Sequence, residues 1–91
     1  MKYEILRMAS FRKDTKLLIK RGKDMERLLS VIDKLGNDEP LDANCRDHAL
    51  SGDYIGFREC HIKADWVPVY RKNPEKLTLT LLRTGSHSDI F

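Results

Sequence analysis

Apolar residues in the first third of the chain recur at the spacing of helix turns. The clearest set falls at positions i, i+3, i+4, i+7 and i+10, namely Met25, Leu28, Leu29, Ile32 and Leu35. Residues at these intervals lie on one side of an α-helix, so they predict a helix with one apolar face. Asp24 is a suitable N-cap for this helix, and Gly36 stands where a helix commonly ends.

A second helix is predicted just before it. Ser10 is a good N-cap residue, and a helix starting there would end at Gly22. Its apolar stripe consists of Phe11, Leu17 and Leu18. One or two residues separate the two helices, which predicts an antiparallel helical hairpin whose apolar faces meet a common core. Residues 2–8, ahead of this hairpin, alternate as in a short β-strand.

The second half of the chain shows the two-residue alternation of strands. Residues 37–52 are polar and irregular, as expected of a loop. The alternating segments that follow are 53–60, 66–70 and 77–81. Pro68 cannot donate a ladder hydrogen bond and so predicts an edge or a bulge, whereas Asn73-Pro74 marks a turn. The pattern predicts an α+β domain over residues 1–91, with an N-terminal strand and a two-helix hairpin packed on a small antiparallel β-sheet.

The composition excludes two classes of protein. Of the 91 residues, 41% are hydrophobic, which is too many for a disordered chain, and 34% are charged, which is too many for a membrane protein. The longest purely apolar run, residues 17–19, is far too short to span a bilayer, and the amino terminus has no apolar stretch of signal-peptide type. We therefore expect a cytoplasmic globular protein without membrane association, whose two cysteines, Cys45 and Cys60, remain thiols.

The charge is distributed unevenly along the chain. Residues 1–35 carry ten Lys or Arg against five acidic residues, whereas residues 36–91 carry seven against nine. A basic amino-terminal third beside a nearly neutral remainder is typical of a surface that faces a polyanion, most commonly nucleic acid. A solvated helix face that only serves solubility would give the same count.

The residues with chemical potential are concentrated in the second half. All three histidines, His48, His61 and His87, fall at or near predicted element boundaries, where catalytic groups are often held. With Asp65 they would suffice for a zinc site, but the paired ligand spacing of structural zinc sites is absent. Nucleotide-binding loops and zincin motifs are absent as well. We therefore predict no metal and no cofactor, and a zinc-stabilised nucleic-acid-binding module remains one alternative.

The same residue types suit metal-free cleavage of RNA. That reaction needs a base for the ribose 2′-hydroxyl, an acid for the departing 5′-oxygen, and cations for the charge that accumulates on the phosphorane. Histidine, with an ordinary pKa of ~6.5, can serve as either proton partner at neutral pH. Arg58 or Arg83 could bind the phosphate bidentately, and Asp65 could orient a histidine or act as a second base.

Two strings of residues resemble a known group of bacterial toxins. The first is Asp47-His48-x-Leu50-x-Gly52-x-Tyr54-x-Gly56-x-Arg58-x-x-His61-x-x-x-Asp65-Trp66, and the second is Arg83-Thr84-Gly85-Ser86-His87-x-x-Ile90-Phe91. Together they resemble the RelE/ParE superfamily and, within it, the YafQ-type mRNA interferases. The resemblance covers almost the whole chain and implies the RelE-like microbial ribonuclease fold.

The resemblance also implies a function: a type II toxin that cuts messenger RNA on the ribosome, inhibits translation and is neutralised by a cognate antitoxin, through which it binds operator DNA indirectly. The family's catalytic residues match His48, His61, Asp65 and His87. Arg83 matches a phosphate-contacting arginine, and Phe91 matches a terminal aromatic residue that acts on the substrate. Trp66 matches a tryptophan beside the site, where packing is its expected role.

The sequence leaves two points open. Glu59 stands where the family frequently has an aspartate, so the resemblance assigns no role to its carboxylate. A ParE-like toxin that blocks a topoisomerase through protein–protein contacts would share the fold and act without cleaving RNA. Such a toxin has no need of three histidines, so the leading interpretation is the ribonuclease.

Overall fold

The chain folds into one β-sheet and two long helices that lie, in sequence, between the first strand and the other four. The computed structural model describes residues 2–63 and 65–91. Its elements are β1 (Glu4–Arg7), α1 (Ala9–Lys20), α2 (Met25–Gly36), β2 (His48–Ala49), β3 (Arg58–Glu59), β4 (Trp66–Asn73), β5 (Thr78–Ser86) and the single turn α3 (His87–Ile90). Two short 3₁₀ turns, Ala43–Cys45 and Gly52–Tyr54, interrupt the long connections.

The five strands form one mixed sheet in the order β1-β5-β4-β3-β2. Strands β2 to β5 pair antiparallel, as expected for segments joined by short connections. β1 instead runs parallel to β5, with Glu4 opposite Thr78 and Arg7 opposite Leu81. The α+β class is thus confirmed, while the expectation of a purely antiparallel sheet is wrong for β1. Its connection to β5 is nearly the whole chain, which is the long crossover that parallel pairing requires.

The main core lies between the helices and one face of the sheet. Phe11 and Leu18 of α1, and Leu28 and Leu35 of α2, are all buried in the cluster that contains Tyr70 of β4. The predicted common core of the two helices is therefore confirmed. The opposite face of β4 carries a smaller cluster, whose buried members are Val67, Val69 and Ile90. Alternation along β4 thus gives the sheet two distinct sides.

Both helices differ in detail from their sequence prediction. α1 begins at Ala9, and Ser10 does not cap it; the Ser10 hydroxyl instead donates to the Leu82 carbonyl at 2.6 Å, which ties the helix to β5. Leu17 and Leu29 belong to the predicted apolar faces, but they are 46% and 50% exposed. The link between the helices is four residues long, from residue 21 to residue 24, rather than one or two.

The segment 53–60 is not the continuous strand that its alternation predicts. Only Arg58–Glu59 pairs as a strand, because Gly52 and Gly56 adopt φ values of +65° and +91°, which are incompatible with extended backbone. The other turn signals are confirmed. The Asn73 side chain accepts hydrogen bonds from the Glu75 and Lys76 amides at 3.1 Å, and the ladder with β3 reaches only Val69 and Tyr70 of β4, which leaves Pro68 at an edge on that side.

Within the described part of the chain, no helix is long and apolar enough to cross a bilayer.

Asp24 provides a test of the helix boundary. Its carboxylate accepts a hydrogen bond from the Glu26 amide at 3.1 Å and caps α2 as the sequence predicts. Asp24→Ala should lower the free energy of unfolding by about 1 kcal/mol, because it removes this cap. Asp33→Ala, an exposed acid in the second half of the same helix, should leave stability unchanged or slightly higher, since an acid near a helix C-terminus opposes the dipole. Equal losses in both variants, measured by urea denaturation, would contradict the capping role.

Candidate active site

A buried carboxylate lies at the centre of the histidine-bearing surface. Glu59 is 2% exposed and lies opposite Val69 in the β3–β4 ladder, on the side of the sheet away from α1 and α2. Its Oε1 atom lies 3.0 Å from Nε2 of His48 and 3.3 Å from Nε2 of His87. Two of the three histidines, 39 positions apart in the sequence, therefore meet at one oxygen atom.

His48 is oriented from both sides of its ring. β2 pairs with β3 so that His48 lies directly opposite Glu59. Its Nδ1 atom is 2.7 Å from the Arg46 carbonyl oxygen, which can only accept, so Nδ1 carries a proton. The Nε2 contact to Glu59 then also needs a proton, either on the imidazole or on the carboxyl group. The Arg46 carbonyl and the Glu59 carboxylate thus hold the His48 ring from two directions.

His87 is positioned by the end of β5. The Ser86 hydroxyl accepts a hydrogen bond from the Asp89 amide at 3.2 Å, which starts the turn α3 at His87. The His87 amide donates to the Asp65 carbonyl at 2.8 Å. Its ring lies 4.6 Å from the ring of Phe91, and both side chains are about half exposed. His87 thus faces solvent beside an aromatic ring.

His61 lies next to this pair. Its ring is 6.3 Å from that of His48, with an angle of 25° between their planes. Its amide donates to the Cys45 carbonyl, which connects the site to the 3₁₀ turn Ala43–Cys45. Nδ1 of His61 and Oε2 of Glu59 are buried, and neither has a hydrogen-bond partner within the described residues. Buried polar atoms normally have hydrogen-bond partners, so these two atoms are exceptions within the described residues.

Asp65 is joined to the site through its backbone. Its carbonyl holds the His87 amide, whereas its exposed side chain lines a cavity of about 420 Å³ between α1 and the end of β5. Trp66, next to it, is 7% exposed, and its indole N–H donates to the Thr84 hydroxyl at 3.0 Å. Trp66 is therefore packed within the fold next to Thr84.

The two candidate arginines lie in different surroundings. Arg58 lies opposite Tyr70 in the β3–β4 ladder, on the side of the sheet away from Glu59, and its guanidinium donates to Asp47 at 3.2 Å. Tyr70 donates to the same carboxylate. Hydrogen bonding to Asp47 raises the pKa of Arg58, and burial raises the pKa of Tyr70. Arg58 is thus bound within the fold, away from the histidine pair.

Arg83 lies on the same side as Glu59. It is opposite Val69 in the β4–β5 ladder, and its guanidinium forms a two-point ion pair with Asp14 of α1. Hydrogen bonding to Asp14 raises the pKa of Arg83, with a smaller contribution from Tyr54. The ring of Tyr54 is 5.0 Å from that of Phe91. Arg83, Tyr54, Phe91 and His87 thus form a continuous surface.

Sequence reasoning left the role of Glu59 open and gave none to Asp14 or Tyr54. The alternation of segment 53–60 did place Glu59 on the same side as Ile55 and Phe57, and an acidic residue on an apolar strand face signals a buried, paired charge. Nothing comparable marks Asp14, because its contact with Arg83 spans 69 positions. Within residues 2–63 and 65–91, no three His, Cys, Asp or Glu side chains are arranged to hold a metal ion.

Cys60 is not a nucleophile of ordinary reactivity. Cys60 is fully buried, and desolvation raises the pKa of its thiol to about 12. At neutral pH its thiolate is therefore scarce, and a thiolate is the form that attacks. Both Cys45 and Cys60 are free thiols, as the sequence predicts.

The chain is similar in sequence to a known family of proteins. Residues 3–91 match the family described as "Bacterial toxin of type II toxin-antitoxin system, YafQ". The chain belongs to this family. It is 42% identical over 82 residues to the mRNA interferase toxin YafQ of Escherichia coli K12, which covers 89% of this chain and 87% of that one. The resemblance seen in the sequence strings is thus confirmed.

Solved structures of similar proteins agree with the fold. YafQ of Escherichia coli BL21(DE3) has a TM-score of 0.91 at 34% identity, over 98% of both chains. A metal-bound toxin from Helicobacter pylori has a TM-score of 0.91 at 40% identity, over 98% of this chain and 99% of that one. The Escherichia coli DinJ–YafQ toxin–antitoxin complex has a TM-score of 0.88 at 35% identity, over 100% of this chain and 99% of that one.

The burial of Cys60 leads to a simple prediction. A thiol reagent at pH 8 should modify one cysteine in the native protein, the half-buried Cys45, because Cys60 is inaccessible and protonated. Both should react in guanidinium chloride. Cys45→Ser should leave no reactive thiol in the native protein, and rapid labelling of that variant would contradict the described packing.

Proposed function

We propose that this protein is an endoribonuclease that cuts messenger RNA on the translating ribosome without a metal ion. The observation that carries the proposal is the meeting of His48 and His87 at the Glu59 carboxylate, beside the half-exposed Phe91. Family membership supports it, as does a relative named as an mRNA interferase. The site would act in the cytoplasm, where ribosomes translate.

The proposed reaction transfers a phosphoryl group within the RNA strand, from the 5′-oxygen of one nucleotide to the 2′-oxygen of the preceding ribose. A base removes the proton from the ribose 2′-hydroxyl, the 2′-oxygen attacks the adjacent phosphorus, and the bond from phosphorus to the 5′-oxygen breaks. An acid gives its proton to that departing oxygen. The products are a 2′,3′-cyclic phosphate and a 5′-hydroxyl, and one proton is taken up for each one released.

Five side chains would carry out these steps: the three histidines, Asp65 and Arg83. We assign the acid to His87, which is exposed to solvent, and the base to His61 or Asp65. His48 and Arg83 would stabilise the charge on the phosphorane. Positioned acids and bases each contribute roughly 10²- to 10⁴-fold in rate.

Glu59 would organise the histidines rather than react. Its single contacting oxygen fixes the separation of His48 from His87, and a carboxylate stabilises a protonated imidazole on either side. Burial prevents water from competing for these contacts. Phe91, which lies against the rings of both His87 and Tyr54, offers a face on which a base can stack.

The histidine assignment is tested by single substitutions. His87→Ala and His61→Ala should each reduce messenger cleavage by about 10²- to 10⁴-fold, because each removes a proton-transfer group. Cleavage is measured by mapping messenger ends in a translation extract, and the melting temperature should change little. The wild type should remain active in EDTA. Full activity of both variants would overturn the assignment, and growth arrest with intact messengers would favour the ParE-like alternative.

The organising role of Glu59 has its own test. Glu59→Gln keeps the shape of the side chain but removes its charge, and a misplaced catalytic group costs on the order of 10²-fold, so cleavage should fall by about 10- to 100-fold. Glu39→Gln, in the exposed loop after α2, removes the same charge and should cleave normally. Retained activity in Glu59→Gln, with an unchanged melting temperature, would contradict the role.

We also propose that a cognate antitoxin covers part of α1, and that the toxin reaches operator DNA only through this complex. Support comes from the relative solved together with DinJ and from a surface that we call the α1 patch. It consists of Lys16, Leu17, Ile19 and Lys20, which line a groove of about 470 Å³. Exposed apolar side chains flanked by lysines complement an amphipathic segment with acidic residues.

The α1 patch is tested by introducing a negative charge at Leu17. Leu17→Glu should weaken antitoxin binding at least tenfold in calorimetry, because it places an acid inside an interface for acidic residues, while RNA cleavage by the free toxin persists. Leu29→Glu alters a similarly exposed leucine on α2, and this variant should bind antitoxin normally. Wild-type affinity in Leu17→Glu would place the antitoxin elsewhere.

A further inference from the structure

The C-terminal end of β5 extends beyond its neighbour β1. Pairing with β1 stops where Arg7 lies opposite Leu81. The next polar groups along that edge of β5 are satisfied by side chains of α1 instead. Ser10 donates to the Leu82 carbonyl at 2.6 Å, and Asp14 accepts from the Thr84 amide at 3.0 Å. Helix α1 therefore completes this edge in place of a strand.

Asp14 makes a second connection from the same position. Its Oδ2 atom accepts from Nε of Arg83 at 2.7 Å, and its Oδ1 atom accepts from Nη2 at 3.2 Å. The Asp14 side chain is only 15% exposed and that of Arg83 is 30% exposed. Two parallel hydrogen bonds fix both the position and the plane of a guanidinium. The carboxylate is itself fixed by the Thr84 amide, so the pair cannot drift as exposed pairs do.

This arrangement determines which edge of Arg83 remains for a ligand. A guanidinium has two edges that can hold an oxyanion, and Asp14 occupies the one formed by Nε and Nη2. The edge that includes Nη1 remains for a phosphate. Tyr54 lies near the same guanidinium and its ring contacts Phe91, which contacts His87, so Arg83 is held beside the proposed reaction centre.

We propose that Asp14 is a positioning residue that holds Arg83 ready for the scissile phosphate. This inference rests on the proposed function, and it extends the site to a helix outside both sequence strings that indicated the chemistry. Asp14 does not touch the substrate; it acts through Arg83. Its effect on the reaction should therefore depend on Arg83 being present.

If Asp14 acted only through its charge, its removal would increase activity rather than reduce it. Removing an acid near the phosphate site would strengthen attraction to RNA, by at most about fivefold for one charge in water. Loss of orientation costs more, since a misplacement of about 1 Å reduces rate on the order of 10²-fold. The positioning role therefore predicts that activity falls when Asp14 is removed, although the net charge becomes more favourable for RNA binding.

The experiment is a double-mutant cycle on cleavage in a translation extract. Asp14→Ala and Asp14→Asn should each lower kcat at least tenfold with little change in KM, because neither side chain can form the two-point ion pair. Arg83→Ala should lower kcat by at least as much, and the double variant should equal Arg83→Ala. Asp33→Ala, an exposed helix acid, should cleave normally. In NMR spectra, the Nε–H signal of Arg83 should be sharp in the wild type and exchange-broadened in Asp14→Asn.

Each outcome separates the inference from the function it rests on. Full activity in Asp14→Asn, or an equal loss from Asp14→Ala when Arg83 is already absent, would overturn the positioning role while leaving the ribonuclease intact. Full activity in Arg83→Ala would remove Arg83 from the reaction and overturn the inference with it. A wild-type protein that cuts no messenger would reject the proposed function, whereas the NMR signal would still report whether Asp14 fixes Arg83.

Discussion

The site depends on one buried carboxylate with two imidazoles at the same oxygen. A carboxylate as buried as Glu59 is costly unless it is paired, and its partners here come from the short strand β2 and from the end of β5. β3 is only two residues long, yet its pairing on both sides sets the register that brings His48 opposite Glu59. A shift of one residue would turn Glu59 to the helix side and separate the histidines.

Each of the two candidate arginines is bound by an aspartate. Asp47 binds Arg58 and accepts from Tyr70 on the helix side of the sheet, whereas Asp14 binds Arg83 near the histidine surface. The two arginines looked equivalent in the sequence, since either could bind a phosphate. Their partners distinguish them: Arg58 fastens the loop that precedes His48, and Arg83 remains beside Tyr54 and Phe91.

The sequence predicts those elements that are stabilised by contacts between residues close together in the chain. The helix from Met25, its cap at Asp24 and the turn at Asn73 follow from side chains within a few positions of one another. The parallel pairing of β1 and the exposure of Leu17 depend on parts of the chain far away, so periodicity alone could not show them. The sequence itself singles out the three histidines, and the resemblance implies their roles, whereas the position of Glu59 between two of them depends on the register of three strands.

The most direct measurement is a structure of the protein on a ribosome with messenger RNA that carries a 2′-O-methyl group at the cleavage position, so that attack is blocked. We expect this structure to show the scissile phosphate within hydrogen-bond distance of His87 and Arg83, a base stacked on Phe91, and Glu59 still in contact with His48. A messenger bound on the α2 side of the sheet, or histidines separated from Glu59 when RNA is in place, would contradict this expectation.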